Sequence, residues 1–135
     1  MMIVLKIFVE GNLYDVWNSW NNPEDIIKWY QGHEDWITTK ASNPLMVGKS
    51  FSYKMMSNDL QSSFTLNGRY LAIDEFKIIR YVMDDKRKVE TIFQEVKNEV
   101  MIIQRVEMEK GNSTESQATW WRSILLNFKK HTEAK

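Results

Sequence analysis

From about Met46 to Met108 the chain is one succession of strand-forming segments, and from Ser113 onward it is a single amphipathic helix. That order constrains the fold more than any other feature. A helix that comes last can bury its apolar stripe only against a sheet already in place. The strands fall near 35–42, 49–57, 62–73, 76–83, 87–96 and 99–109. Asn43-Pro44, Ser57-Asn58-Asp59, Asp74-Glu75, Asp84-Asp85-Lys86 and Lys97-Asn98 separate them. Parallel neighbours need crossovers of about a dozen residues or more, so strands joined by gaps this short are predicted to run antiparallel.

Within the strands the period is two. Phe51, Tyr53 and Met55 alternate with Ser50, Ser52 and Lys54, and Phe64, Leu66, Gly68 and Tyr70 alternate with Ser63, Thr65, Asn67 and Arg69. One face is therefore expected to meet a core and the other water. Gly68 leaves a gap in the apolar face, as expected where a sheet bends or another group approaches closely.

Ahead of this block, residues Ile3 to Val9 read as a first strand, with Val4, Ile7 and Val9 β-branched. Lys6 and Glu10 interrupt the apolar run and no small-residue cleavage site follows, so a signal peptide is not expected. Asn12 caps a short helix carrying Leu13, Val16, Trp17 and Trp20 on one side. Asn22-Pro23 restarts a second, with Glu24 and Asp25 in its first turn. Helices so short are marginal alone and must lean on something apolar through Ile26, Ile27, Trp29 and Tyr30. In the last helix Ala118, Trp121, Leu125 and Phe128 make the stripe, widened by Trp120 and Ile124, while Thr119, Arg122, Lys129 and Lys130 face away. This helix opens at Gly111-Asn112-Ser113-Thr114, with Glu115 or Gln117 placed for a capping box.

A chain of 135 residues is one domain's worth, and the whole of 1–135 is read as a single domain. Lysine plus arginine and aspartate plus glutamate number 18 each, so no global field draws it to nucleic acid or an anionic membrane. No stretch reaches the roughly 18 apolar residues of a membrane span. With no cysteine there are no disulfides, thiolate nucleophiles or cysteine metal sites. A cytoplasmic location is the expectation, under which the glycosylation pattern Asn112-Ser113-Thr114 carries no weight.

No catalytic or metal constellation is legible. His33 lies beside Glu34 and Asp35, but three adjacent residues on an extended chain cannot converge on one ion, and a solvated turn is expected. His131 is expected at a frayed surface, and Asp84, Asp85, Lys86 and Arg87 at a solvated hairpin tip. Arg80 alternates with Ile79 and Tyr81, and either set could face inward.

Several stretches taken in order carry a resemblance. They are VWNSWNNPEDIIKWYQGHEDW at 16–36, LMVGKSFSYKM at 45–55, FTLNGRYLAID at 64–74, KVETIFQEV at 88–96 and SQATWWRSILLNF at 116–128. Together they resemble the family related to the C-terminal domain of the activator of Hsp90 ATPase, in the Bet v 1-like or START-like superfamily. The resemblance implies an α+β helix-grip fold, β-α-α-β6-α, with a curved antiparallel sheet wrapped around a long C-terminal helix. It also implies a hydrophobic, aromatic or lipid-like ligand held between sheet and helix, with no cofactor. A chaperone partner of the Hsp90 type and a cyclase- or aromatase-like enzyme are the alternatives. The family's usual Gly-Gly is Gly48-Lys49 here, and its usual Gly-Trp in the last helix is Trp120-Trp121. The extra ring of Trp120 would either narrow the cavity or make a sticky surface.

Seventeen aromatic residues (six Trp, six Phe and five Tyr) can fill a core or line a pocket. Trp17, Trp20 and Trp29 read as helix-docking core. Candidates for the cavity wall are Trp36, Phe51, Tyr53, Phe64, Tyr70, Tyr81, Phe93, Trp121 and Leu125, which fall on the concave face or on the covering helix.

Overall fold

A computed structural model describes every residue except Met1 and Asn112, so the glycosylation pattern at Asn112 lies outside the described residues. The elements run β1 (Met2–Glu10), α1 (Leu13–Asn21), α2 (Pro23–Trp29), β2 (Trp36–Ser42), β3 (Ser50–Ser57), β4 (Ser63–Asp74), β5 (Ile78–Met83), β6 (Lys88–Val96), β7 (Glu99–Glu107) and α3 (Thr114–Glu133). This is the element order expected from the spacing, and the helix-grip order that the resemblance implies.

The seven strands form one antiparallel sheet in the order β1-β7-β6-β5-β4-β3-β2. Each hairpin pairs sequence neighbours, while α1 and α2 carry the chain from β1 at one edge to β2 at the other. Register shifts between Thr38 and Lys40 and between Tyr70 and Ala72 bend the strands. Such shifts raise the local twist, which helps a sheet curl around a helix.

The caps follow the sequence. The Asn12 side chain accepts the Asp15 N–H at 2.8 Å, and the Asn22 side chain accepts the Glu24 N–H at 3.1 Å with Pro23 opening α2. Ser113 caps α3, its hydroxyl accepting the Ser116 N–H at 3.1 Å. The Gln117 amide clamps the backbone of Glu109, accepting from the N–H at 2.7 Å and donating to the carbonyl at 2.9 Å. That clamp replaces strand pairing and ends β7 two residues before the expected boundary. Likewise β5 starts late because Glu75, Phe76 and Lys77 form a turn closed by the Lys77 N–H on the Asp74 carbonyl at 2.9 Å.

The core lies between the concave face and α3. Ile3, Leu5 and Val9 of β1, Val100, Ile102 and Val106 of β7, and Ile124, Leu125 and Phe128 of α3 are all buried. Beside them the short helices bring a block of stacked rings. Trp20, Trp29 and Phe128 meet with centroids 4.8 Å apart in each pair, and Phe93 stands edge-on to Trp17 at 5.0 Å. The Trp29 indole N–H donates to the Ser19 carbonyl at 3.0 Å, so its burial leaves no orphan donor. This part of the interior is solid.

His131 is not at a frayed end. Its ring nitrogen lies 2.8 Å from an Asp25 carboxylate oxygen, which the Lys135 ammonium also meets at 2.8 Å. The tip of α3 is thereby tied to α2. The expectation failed because the partner is 106 residues away in sequence and nothing local announces it.

Candidate functional site

The other half of the helix–sheet interface is not filled. A cavity of about 270 Å³, open on one side, lies under the first turns of α3. Tyr30 at the end of α2, Phe64 and Leu66 of β4, Met83 of β5 and Trp120 and Trp121 of α3 make its apolar wall. Arg87 and Glu109 supply the charged groups at its edge, with Ser116 and Gln117 beside them.

Two glycines fix where rings can lie. A Cβ on Gly32 would stand 2.2 Å from the Trp120 ring, so that ring packs directly on the Gly32 backbone. Trp120 therefore lines and narrows the mouth, and resolves the choice left open by the sequence. A Cβ on Gly68 would stand 2.2 Å from the Phe51 ring. The gap in the alternating face of β4 is thus the seat of a ring from β3.

Of the nine wall candidates, Phe64 and Trp121 line this cavity. Phe51, Tyr53, Tyr70 and Tyr81 form a packed layer elsewhere on the concave face. Phe51 meets Tyr53 at 4.7 Å, Tyr70 at 5.6 Å and Tyr81 at 4.8 Å. Trp36 supports Phe64 edge-on at 5.1 Å and is not itself on the wall. Phe93 belongs to the solid block and Leu125 to the helix core, both away from the wall. They point inward as the alternation demands, but other side chains already occupy the space in front of them.

The phenols are held neutral. Burial pushes the Tyr30 hydroxyl well above its ordinary range, with the positive charge of Arg87 opposing. Burial does the same to Tyr53 and Tyr81, and the neighbouring phenols add to it. Tyr70 is raised by burial and donates its hydroxyl proton to the Asn43 side chain. Tyr30 differs from Tyr70: its hydroxyl is buried and meets no hydrogen-bonding group among the described residues.

Arg87 is a correction to the hairpin-tip expectation. Asp84, Asp85 and Lys86 do form an exposed turn, with Lys86 left-handed at φ 75°. The Arg87 side chain, however, is only 16% exposed and turns onto the cavity edge. Its Nε donates to Asp85 at 2.7 Å. The signal was available, because Val89, Thr91 and Phe93 of β6 face inward and residue 87 shares their parity. Arg80 has the opposite orientation, exposed and paired with Glu90 at 2.6 Å, so Ile79 and Tyr81 are the inward set. His33 is a solvent-facing turn residue whose Nδ1 accepts the Asp35 N–H at 3.1 Å. Among the described residues no His, Asp or Glu cluster could hold a metal ion, and no helix is long and apolar enough to cross a membrane.

With this geometry in hand, comparison with known families is decisive. Residues 12–133 match the family described as Activator of Hsp90 ATPase homolog 1-like protein. The chain belongs to that family. No curated protein matches it by sequence. Among solved structures, the AHSA1-like protein from Aeromonas hydrophila is 29% identical, with a TM-score of 0.93 over 99% of this chain and 93% of that one. A protein from Cytophaga hutchinsonii is 32% identical, with a TM-score of 0.85 over 98% and 92%. The Aha1 dimer from Colwellia psychrerythraea, at 12% identity and a TM-score of 0.77 over 98% and 96%, shares the fold. This AHSA1-like chain thus has the architecture its resemblance implied, within the Bet v 1-like superfamily.

Proposed function

We propose that this protein binds a small, ring-bearing apolar molecule in the cavity under the N-terminal turns of α3. One observation carries the reading: a hollow of about 270 Å³ with an aromatic wall lies between the sheet and the first turns of α3. Cavities near 150 Å³ hold a single benzene, so this one suits a substituted ring or two fused rings. Sterols and long acyl chains are too large unless the mouth widens. Phe64 and Trp121, expected from the sequence, are the proposed contact residues, joined by Tyr30, Leu66, Met83 and Trp120. Apolar burial at about 25 cal/mol per Å² would drive affinity. We place the protein in the cytoplasm on the same footing.

A thermal-shift panel of one- and two-ring compounds, flavonoids, sterols and fatty acids tests the reading. A ligand at 100 times its Kd stabilises by about 2.7 kcal/mol, a rise of several degrees in Tm. The compact ring compounds should give that rise and the bulky ones should not. Flat melting curves throughout would refute it. A chaperone-contact role rests on the family's description alone, and a pull-down with Hsp90 is its direct test.

A further inference from the structure

The cavity carries more than apolar surface. The Tyr30 ring is on its wall, the residue is 5% exposed, and the hydroxyl has no partner among the described residues. A buried hydroxyl left unpaired is costly, and the great majority are satisfied. Arg87 stands at the same cavity and spends only its Nε and backbone N–H on Asp85. Among the described residues no carboxylate or carbonyl engages its terminal guanidinium nitrogens. Both groups are donors, since Tyr30 stays protonated and a guanidinium has no acceptor. The opposing charge on the wall belongs to Glu109, which is exposed to solvent and correspondingly screened.

Two unspent donors, one of them cationic, beside a one- to two-ring apolar hollow define a ligand. We propose that the cavity takes a compact aromatic carboxylate, its rings against Phe64, Leu66, Met83, Trp120 and Trp121 and its carboxylate on Arg87 and the Tyr30 hydroxyl. This rests on the ligand-binding reading above and adds the polar end. Because the Tyr30 hydroxyl is sealed from solvent, binding requires a side chain beside it to shift. The Arg87 guanidinium is paired with Asp85, whose carboxylate is exposed.

The test is titration of the full chain with 2-naphthoate, 2-naphthamide and 2-naphthylmethylammonium, read by tryptophan fluorescence and calorimetry. The acid should bind about tenfold or more tighter than the neutral amide, the increment of one charge-assisted hydrogen bond, and the ammonium weakest. Arg87→Gln should bring acid and amide to parity. Tyr30→Phe should weaken the acid about tenfold while the melting temperature of the free protein holds or rises, which separates lost contact from lost fold. Asp85→Asn, which frees Arg87, should strengthen acid binding. If acid and amide bind equally and neither Arg87→Gln nor Tyr30→Phe changes that, the carboxylate assignment falls and the apolar reading stands. If none of the three binds, both fall.

Discussion

The two halves of α3 lie over chemically similar ground to opposite effect. Toward its C-terminus the helix presses Phe128 into Trp20 and Trp29, and Phe93 and Trp17 close the gap behind them. Toward its N-terminus Trp120 and Trp121 roof a hollow over Tyr30, Phe64, Leu66 and Met83. Aromatic content does not distinguish the halves. The short helices do: α1 and α2 insert their rings under one end of α3 and deliver only Tyr30, at the very end of α2, to the other. Whether a ring-rich interface is core or pocket thus depends on whether a third layer reaches it.

The sharpest way to break this contrast is to truncate one ring at each end. Phe128→Ala removes a wholly buried ring and should cost about 3–5 kcal/mol, whereas Phe64→Ala, at a residue already 40% exposed, should cost under about 1.5 kcal/mol. Urea unfolding of the two variants measures both. Near-equal losses would mean that the N-terminal half is packed as tightly as the other.

Next in size is the seat of Trp120. Gly32→Ala pushes a methyl into that ring and should cost about 1–3 kcal/mol by overpacking. Adding Trp120→Ala should recover most of the loss, a coupling read from the four-variant cycle. Without coupling, the ring does not lie where the hollow's mouth requires it.

Tyr30→Phe sharpens the comparison from the polar side. Deleting a buried hydroxyl without a protein partner should raise stability by about 1 kcal/mol. The same deletion at Tyr70, whose hydroxyl donates to Asn43, should lower it by about as much. Thermal melts of the two phenylalanine variants check the opposite signs.

The smallest effect concerns the tie that holds the solid end shut. Burial alone would raise the Asp25 pKa, but hydrogen bonds and charge from Lys135 and His131 outweigh it and hold the group below its ordinary value. A depressed carboxylate stabilises the fold above its unfolded pKa and loses that contribution as pH falls through the folded one. Asp25→Asn should therefore cost under about 1 kcal/mol at neutral pH, with the difference from the parent shrinking below about pH 4. Paired urea titrations at pH 7 and pH 3 measure this, and a gap that widened in acid would overturn the assignment.

Much of the site's framework was legible residue by residue. The parity of Phe51, Tyr53, Phe64 and Tyr70 marked the inward face, the gap at Gly68 marked a close approach, and the stripe through Trp121 marked the helix face. Arg87 was legible by the same parity, obscured by its charged neighbours. What alternation cannot express is depth. Tyr81 and Phe93 face inward as surely as Phe64 does, yet neighbours from distant strands and helices already fill the space in front of them.

By itself the sequence determined the local rules: periods of two and 3.6, the cap at Asn12, the helix restart at Asn22-Pro23, and gaps too short for anything but antiparallel pairing. These follow from backbone geometry, which acts between residues a few positions apart. Only the tertiary structure decided that Trp120 lies on Gly32, that His131 meets Asp25, and that one half of the interface stays hollow. Those outcomes depend on side chains about 90 to 110 positions apart competing for the same volume, and packing at crystal-like density is a property of the whole assembly.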